Sequence, residues 1–190
     1  MYTEALTLTR AADTEDPEAR LLRRIAAGDR NAMDGFYKLY QSKVYRFAMA
    51  RLNDPAAAAD ILNEVMLKIW KDACQFRAEA AVQTWVLGIA YYKTMDQLRL
   101  QYRHAADELD PEMTDHAIED HATVMERVDD AYRVQQAMAS LSDVHRTALH
   151  LVFFEDLSYA AIAQVMQCPE NTVKTRVFHA KQMMKRHLLQ

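Results

Sequence analysis

Residues 157–181, LSYAAIAQVMQCPENTVKTRVFHAK, hold the most chemically suggestive spacing in the chain. Thr172, Lys174, Thr175, Arg176, His179 and Lys181 would stand on the outward side of one amphipathic helix. Val173, Val177, Ala180, Met184 and Leu188, spaced by fours and threes, would form its inner side. The outward set is rich in donors that reach phosphate oxygens and the base edges of duplex DNA. From Asn171 onward this helix carries Lys174, Arg176, Lys181, Lys185 and Arg186 and no acid. Ahead of it, Ser158 caps a short helix holding Ile162, Ala163 and Met166. Ala163 is small enough for two crossing helices to approach closely there. An ordinary α-hairpin is the plain alternative to a helix-turn-helix, whose turn usually contains glycine. Gln167 occupies that position here, where a left-handed backbone costs a non-glycine residue about 1 kcal/mol.

Other reactive side chains do not gather into a catalytic pattern. No P-loop, nucleophile elbow or HExxH occurs. His104, His116 and His121 lie near acids but lack metal-ligand spacing, so neither a metal nor a cofactor is expected. Cys74 and Cys168 form no CxxC and sit among apolar residues, as core thiols do. The chain is expected not to be an enzyme.

The elements that must position these residues are helical throughout. The 190 residues include three glycines and four prolines, and no sustained period-2 run appears. The predicted fold is all-α, with two small helical domains. Unpaired cysteines point to a reducing cytoplasm. No apolar run approaches the roughly 20 residues that span a bilayer. Residues 1–17, a mix of acids and bases, are expected to be a mobile N-terminal extension and not a signal peptide.

The formal net charge of −4 is unevenly distributed. Residues 20–51 are basic, whereas 107–130 (DELDPEMTDHAIEDHATVMERVDD) hold ten acids against one arginine. Pro111 interrupts helix there, so 105–130 is predicted to be a flexible acidic linker, with a solvated helix as the alternative for its second half. The first domain, 18–104, would contain four helices. Phe36, Leu39, Tyr40, Val44, Phe47 and Leu52 are expected inside the second. Asp54 and Pro55 would start the third, with Ile61, Val65, Ile69 and Trp70 on one face. In the fourth, over about 82–103, Trp85, Val86, Ile89, Tyr92 and Leu98 can pack. The second domain, 131–190, would bury Leu149, Val152 and Phe153 in a helix capped by Ser142.

Taken together, these blocks resemble a bacterial extracytoplasmic-function (ECF) sigma factor. The resemblance is carried by DPAAAADILNEVMLKIWKDACQF and TWVLGIAYYKTMDQLR in the first domain, and by LSDVHRTALHLVFFEDLSYAAIAQVMQCPENTVKTRVFHAK in the second. It covers 20–103 and 131–188 in family order.

The resemblance implies that the first domain docks on the β′ clamp helices of core RNA polymerase. The docking residues would be Asp60, Asn63, Glu64, Met66 and Leu67, an acidic face suited to a basic coiled coil. It implies capture of a flipped base of the promoter −10 element by Phe76, Arg77, Tyr91, Tyr92, Lys93, Asp96 and Arg99. Trp85 is as well explained as a core residue. The six outward residues of the last helix would read the −35 element, led by Lys174 and Arg176. Tyr92 stands where the family commonly has Asn, and His179 where Arg is common. The second domain would also meet the polymerase β flap. The linker would thread toward the RNA exit path, and an anti-sigma factor would hold the protein inactive until a signal arrives. A decoy that sequesters an anti-sigma factor and a conventional helix-turn-helix regulator are the alternatives; the residues that would distinguish them are a depleted basic face or an effector domain, and neither is present in the sequence.

Overall fold

Helix caps, more than any other local feature, set the boundaries of the fold. The structure, a computed structural model, describes residues 16–107 and 126–189. The N-terminal residues 1–15, the central part of the acidic stretch (108–125), His116 and His121 lie outside the described residues. Among the described residues the α-helices are α1 (Pro17–Ala26), α2 (Arg30–Leu52), α3 (Pro55–Asp72), α4 (Val82–Asp107), α5 (Glu126–Ala139), α6 (Asp143–Phe153), α7 (Tyr159–Met166) and α8 (Glu170–Leu188). A short 3₁₀ turn, Ala73–Gln75, follows α3. No strand occurs among the described residues.

The chain divides into two compact units. The first takes in residues up to Met49 together with Asn53–Lys93, and the second Ala50–Leu52 together with residues from Thr94 on.

In the first unit, Asp29 caps α2 by accepting from the N–H groups of Asn31 (2.9 Å) and Ala32 (3.1 Å). The Arg24 guanidinium, 2.7 Å from Asp29, is the main reason its carboxyl is held below the usual range. Asn53 turns left-handed (φ 50°) after α2, and Asp54 then caps α3 through Ala56 N–H (2.8 Å) and Ala57 N–H (3.2 Å). Pro55 opens that helix, where its missing N–H costs nothing. The interior holds Leu22 and Ile25 of α1, Phe36, Tyr40, Val44 and Phe47 of α2, and Ile61, Val65 and Ile69 of α3. Phe36 and Tyr40 stack with centroids 4.6 Å apart. Burial, aided by the hydrogen bond the Tyr40 hydroxyl donates to Glu18, pushes that phenol far above its ordinary value. Leu39 is 51% exposed, contrary to its expected place inside. It lies about 100° around the helix from Tyr40, so the stripe 36–40–44–47 leaves it out.

In the second unit, α5, α6 and α7 all pack on α8. Arg146 of α6 donates to the carbonyls of Met138 (2.9 Å), Ala139 (2.8 Å) and Leu141 (2.9 Å). It thereby satisfies acceptors that the end of α5 leaves without intrahelical partners. Ser158 caps α7 through Ala161 N–H at 3.2 Å, as expected. At Ser142 the expected cap is absent: its hydroxyl lies 2.8 Å from His145 Nδ1. Gln167 does adopt the left-handed backbone (φ 46°). Cys168 N–H reaches Ala163 O at 3.1 Å and Gln167 N–H reaches Gln164 O at 3.4 Å, the paired bonds of a Schellman turn. They offset the cost of having no glycine there.

Phe153, expected inside, is 61% exposed, and Val152 is only half-buried. The buried stripe of α6 instead runs through Thr147, Ala148, Leu149, His150 and Leu151. His150 Nε2 lies 3.5 Å from Glu155 Oε1 in a buried pair, and its ring stacks on Phe154 at 5.0 Å. Val173, Val177 and Ala180 are buried as expected, while Met184 and Leu188 are half-buried.

Candidate functional site

The outward arc of α8 follows directly from its inner stripe. Burial of Val173, Val177 and Ala180 fixes the rotation of the helix, leaving Lys174, Thr175, Phe178, His179, Lys181 and Gln182 exposed. Thr172 and Arg176 sit half-buried at one margin. At 3.6 residues per turn, Lys174 and Arg176 are separated by roughly 200° of rotation, so they flank the arc and do not share one spot. Cations on both margins of an exposed helix are placed for the two phosphate walls of a groove, with the residues between them facing its floor.

Local partners hold each of these groups loosely. Lys174 Nζ lies 2.8 Å from Glu170 Oε1, the single acid of α8. The Arg176 guanidinium turns back to the Cys168 sulfur at 3.4 Å. Thr175 Oγ1 donates to Asn171 O at 3.0 Å. Lys181 Nζ sits 5.0 Å from the centre of the Phe153 ring, a cation–π contact. His179 faces His145 of α6, ring centroids 6.5 Å apart, and Phe178 at 5.6 Å. Burial first, then the nearby His179 and Arg176, lowers His145 below the usual histidine value.

In the first unit, α3 presents Asp60, Asn63, Glu64 and Leu67 on one exposed stripe at helical spacing. Met66 does not belong to it: it is 5% exposed and lies on the inner stripe with Leu62, Val65 and Ile69. The expectation that Met66 helps dock a partner is corrected on that ground. After α3, Ala78 takes a left-handed backbone (φ 56°) in the loop leading to α4. Phe76 leans on Trp85 with centroids 5.5 Å apart, and Arg77 is exposed. Trp85 is half-buried, between the two roles considered for it.

Tyr91 is 8% exposed, on the buried line of α4 with Leu87 and Ala90, so it is corrected from a base-contacting residue to a core one. Tyr92, edge-on to Tyr91 at 5.5 Å, is exposed. Lys93 pairs with Glu64 across helices at 2.7 Å. Asp96 and Arg99 pair with each other along α4 at 3.2 Å, both exposed.

Two family models match the chain: Sigma-70 region 2 over residues 36–104, and Sigma-70, region 4 over residues 131–184. The chain is also 33% identical over 178 residues to the RNA polymerase sigma-H factor of Pseudomonas aeruginosa, covering 89% of this chain and 92% of that one. It belongs to the sigma-70 family. This sigma factor is 27% identical over 165 residues to the ECF RNA polymerase sigma factor SigK of Mycobacterium tuberculosis, covering 83% of this chain and 86% of the relative. Among solved structures, its fold is similar to that of the sigma factor RpoE of Bartonella quintana, seen in complex with the anti-sigma factor NepR. That match has a TM-score of 0.67 and 21% identity, over 82% of this chain and 95% of that one. CnrH, seen in complex with the cytosolic domain of CnrY, matches with a TM-score of 0.68 and 18% identity over 91% of this chain and 97% of that one. The chain is an alternative sigma factor of the ECF group.

Several surface residues of the sigma factor have no counterpart in its sequence-predicted site. Phe153, Phe154 and Phe178 are exposed aromatics of the second unit. His145 and Glu170 likewise escape a helix-by-helix reading, as does the pairing of Glu64 with Lys93, because each acts through a neighbour. Among the described residues no group of three or more His, Cys, Asp or Glu could hold a metal ion, and no helix is long and apolar enough to cross a membrane.

Proposed function

We propose that this chain binds core RNA polymerase, directs it to promoters with −35 and −10 elements, and assists their melting. The observation that carries the reading is the outward arc of α8, donor-rich and flanked by Lys174 and Arg176, behind a tight left-handed turn. Duplex contact at the −35 element falls to Thr172, Lys174, Thr175, Arg176, His179 and Lys181. Phe76, Arg77, Tyr92 and Lys93 serve the −10 element, where an unstacked base needs aromatic surface and edge donors. Asp96 and Arg99 continue that role along α4. Asp60, Asn63, Glu64 and Leu67 dock on the β′ clamp helices, and the region-4 part meets the β flap.

Anti-sigma control is supported by the complex in which the similar Bartonella quintana RpoE was solved, and by the exposed apolar side chains of this chain. The chain acts as an initiation factor in the cytoplasm, with residues 105–130 linking its two promoter-facing parts. Affinity purification of the tagged chain from its native bacterium tests the reading. Core polymerase subunits in the eluate are expected; their absence, with other partners recovered in stoichiometric amount, would overturn it.

A further inference from the structure

His145 and His179 come from different helices, yet their rings meet on the surface at 6.5 Å. Two imidazoles that close repel one another once both are protonated, and Arg176 adds a third cation beside them. Among the described residues, neither histidine is hydrogen-bonded or ion-paired to a carboxylate. On α6, Ser142 Oγ holds His145 Nδ1 at 2.8 Å, and Asp143 lies 3.8 Å from Arg146. On α8, Glu170 is engaged by Lys174 at 2.8 Å. The end of α5 directs its carbonyls to Arg146; of the two acids following α6, Glu155 faces His150 and Asp156 is exposed. Among the described residues the cluster therefore has donors and latent positive charge, with no carboxylate paired to it.

We propose that His145, Arg176 and His179 form one binding site for a backbone phosphate of duplex DNA, and that occupying it draws protons onto the histidine pair. The site rests on reading α8 as the DNA-facing helix and extends that surface onto α6, through a residue outside the helix-turn-helix. A phosphate between the rings supplies the missing countercharge, and the imidazolium N–H groups donate to its oxygens. Arg176 can exchange its long 3.4 Å contact with Cys168 sulfur for a charge-assisted bond. The sign of the linkage follows. DNA phosphate beside the pair favours the protonated form of His145, so the gain in binding is fully present below its free value. It is lost as pH rises through its DNA-bound value.

Phosphate contacts carry no sequence information, so the test needs neither a promoter nor polymerase. The full chain is titrated with a random-sequence duplex of about 20 base pairs at about 50 mM salt, where such contacts are strongest. Fluorescence anisotropy is read at pH 5.5 and pH 8. The natural chain is expected to bind about tenfold tighter at the lower pH, the factor that one unit of histidine shift provides. The His145→Gln, His179→Gln double variant should bind weakly at both, with less than about twofold change. The His145→Arg, His179→Arg variant, charged throughout, should bind tightly at both.

A double Gln variant that keeps the full pH dependence overturns the site while leaving α8 as the DNA-facing helix. So does an Arg variant as pH-dependent as the natural chain. Absence of duplex binding at either pH overturns the site and the reading of α8 together, without touching polymerase association, which purification measures separately. As a control, NMR titration of the two imidazoles with inorganic phosphate at equal ionic strength should move them far less than the duplex does. An equal shift would reassign the site to free phosphate and overturn the proposal.

Discussion

Charge is restrained differently on the α3–α4 surface and on α8. On the first, Glu64 and Lys93 belong to different helices and neutralise one another at 2.7 Å. On the second, Lys174 pairs with Glu170 one turn back, and Lys181 rests on the ring of Phe153. Exposed pairs of either kind contribute about 0–1 kcal/mol, so phosphate or an incoming partner displaces them at small cost. The consequence of displacement differs. Drawing Glu64 into a partner releases Lys93 on the neighbouring helix, whereas displacing Glu170 frees a cation only within α8. A cross-helix pair can connect two binding events; an intrahelical pair tunes one.

The largest contrast to test lies within α3. Met66→Ala removes a buried side chain and should cost about 2–5 kcal/mol of stability, read as a lower midpoint in urea unfolding. Leu67→Ala, its exposed neighbour, should leave that midpoint nearly unchanged and weaken polymerase association instead. Equal midpoints for the two variants would erase the distinction drawn between core and docking stripe.

Next in size is the recognition arc. Lys174→Ala with Arg176→Ala should weaken binding to a −35 duplex by about 100-fold, from lost phosphate and base contacts worth about 1–3 kcal/mol each. Association with core polymerase should stay within about twofold. A normal −35 footprint from the double variant would remove α8 from the account.

On the exposed stripe of α3, Asp60→Ala with Glu64→Ala should weaken core association about tenfold, measured by competition with another sigma factor. Unchanged affinity would return that face to solvent. A smaller effect tests the connection between surfaces: Glu64→Gln should increase DNA binding by the free chain at most a few-fold, because a surface pair restrains Lys93 only weakly.

The smallest expected effect concerns His145. Its folded-state value lies below the ordinary 6.5, so the unfolded chain takes up the proton more readily. Stability is therefore fully present above about pH 6.5 and declines slightly as pH falls through that value and below. His145→Gln should remove this part of the decline, visible as a shallower fall in Tm between about pH 7 and pH 5.5.

Legibility from sequence followed locality. The Asp54 and Ser158 caps and the left-handed Gln167 lie within a few residues of what determines them, and all were readable. The inner stripe Val173–Val177–Ala180 was readable for the same reason, since period alone defines it. Stripe width was not. Met66 and Tyr91 fall inside and Leu39 and Phe153 outside because neighbouring helices, and not the period, decide how much of a helix is covered. α4 reaches Asp107, further into the acidic stretch than expected, while α5 from Glu126 falls within the helix that was the alternative for its second half. Pairs between distant positions, Glu64 with Lys93 and His145 with His179, have no periodic signature.

The central claim is that the α3–α4 surface and α8 work as one promoter reader on polymerase. Transcription initiation by purified core polymerase with this chain, surveyed by run-off on genomic fragments, tests it most directly. The account predicts initiation at a small set of sites sharing two spaced elements, lost when Lys174 and Arg176 are both replaced by alanine. A chain that associates with core polymerase yet initiates at no site would contradict it.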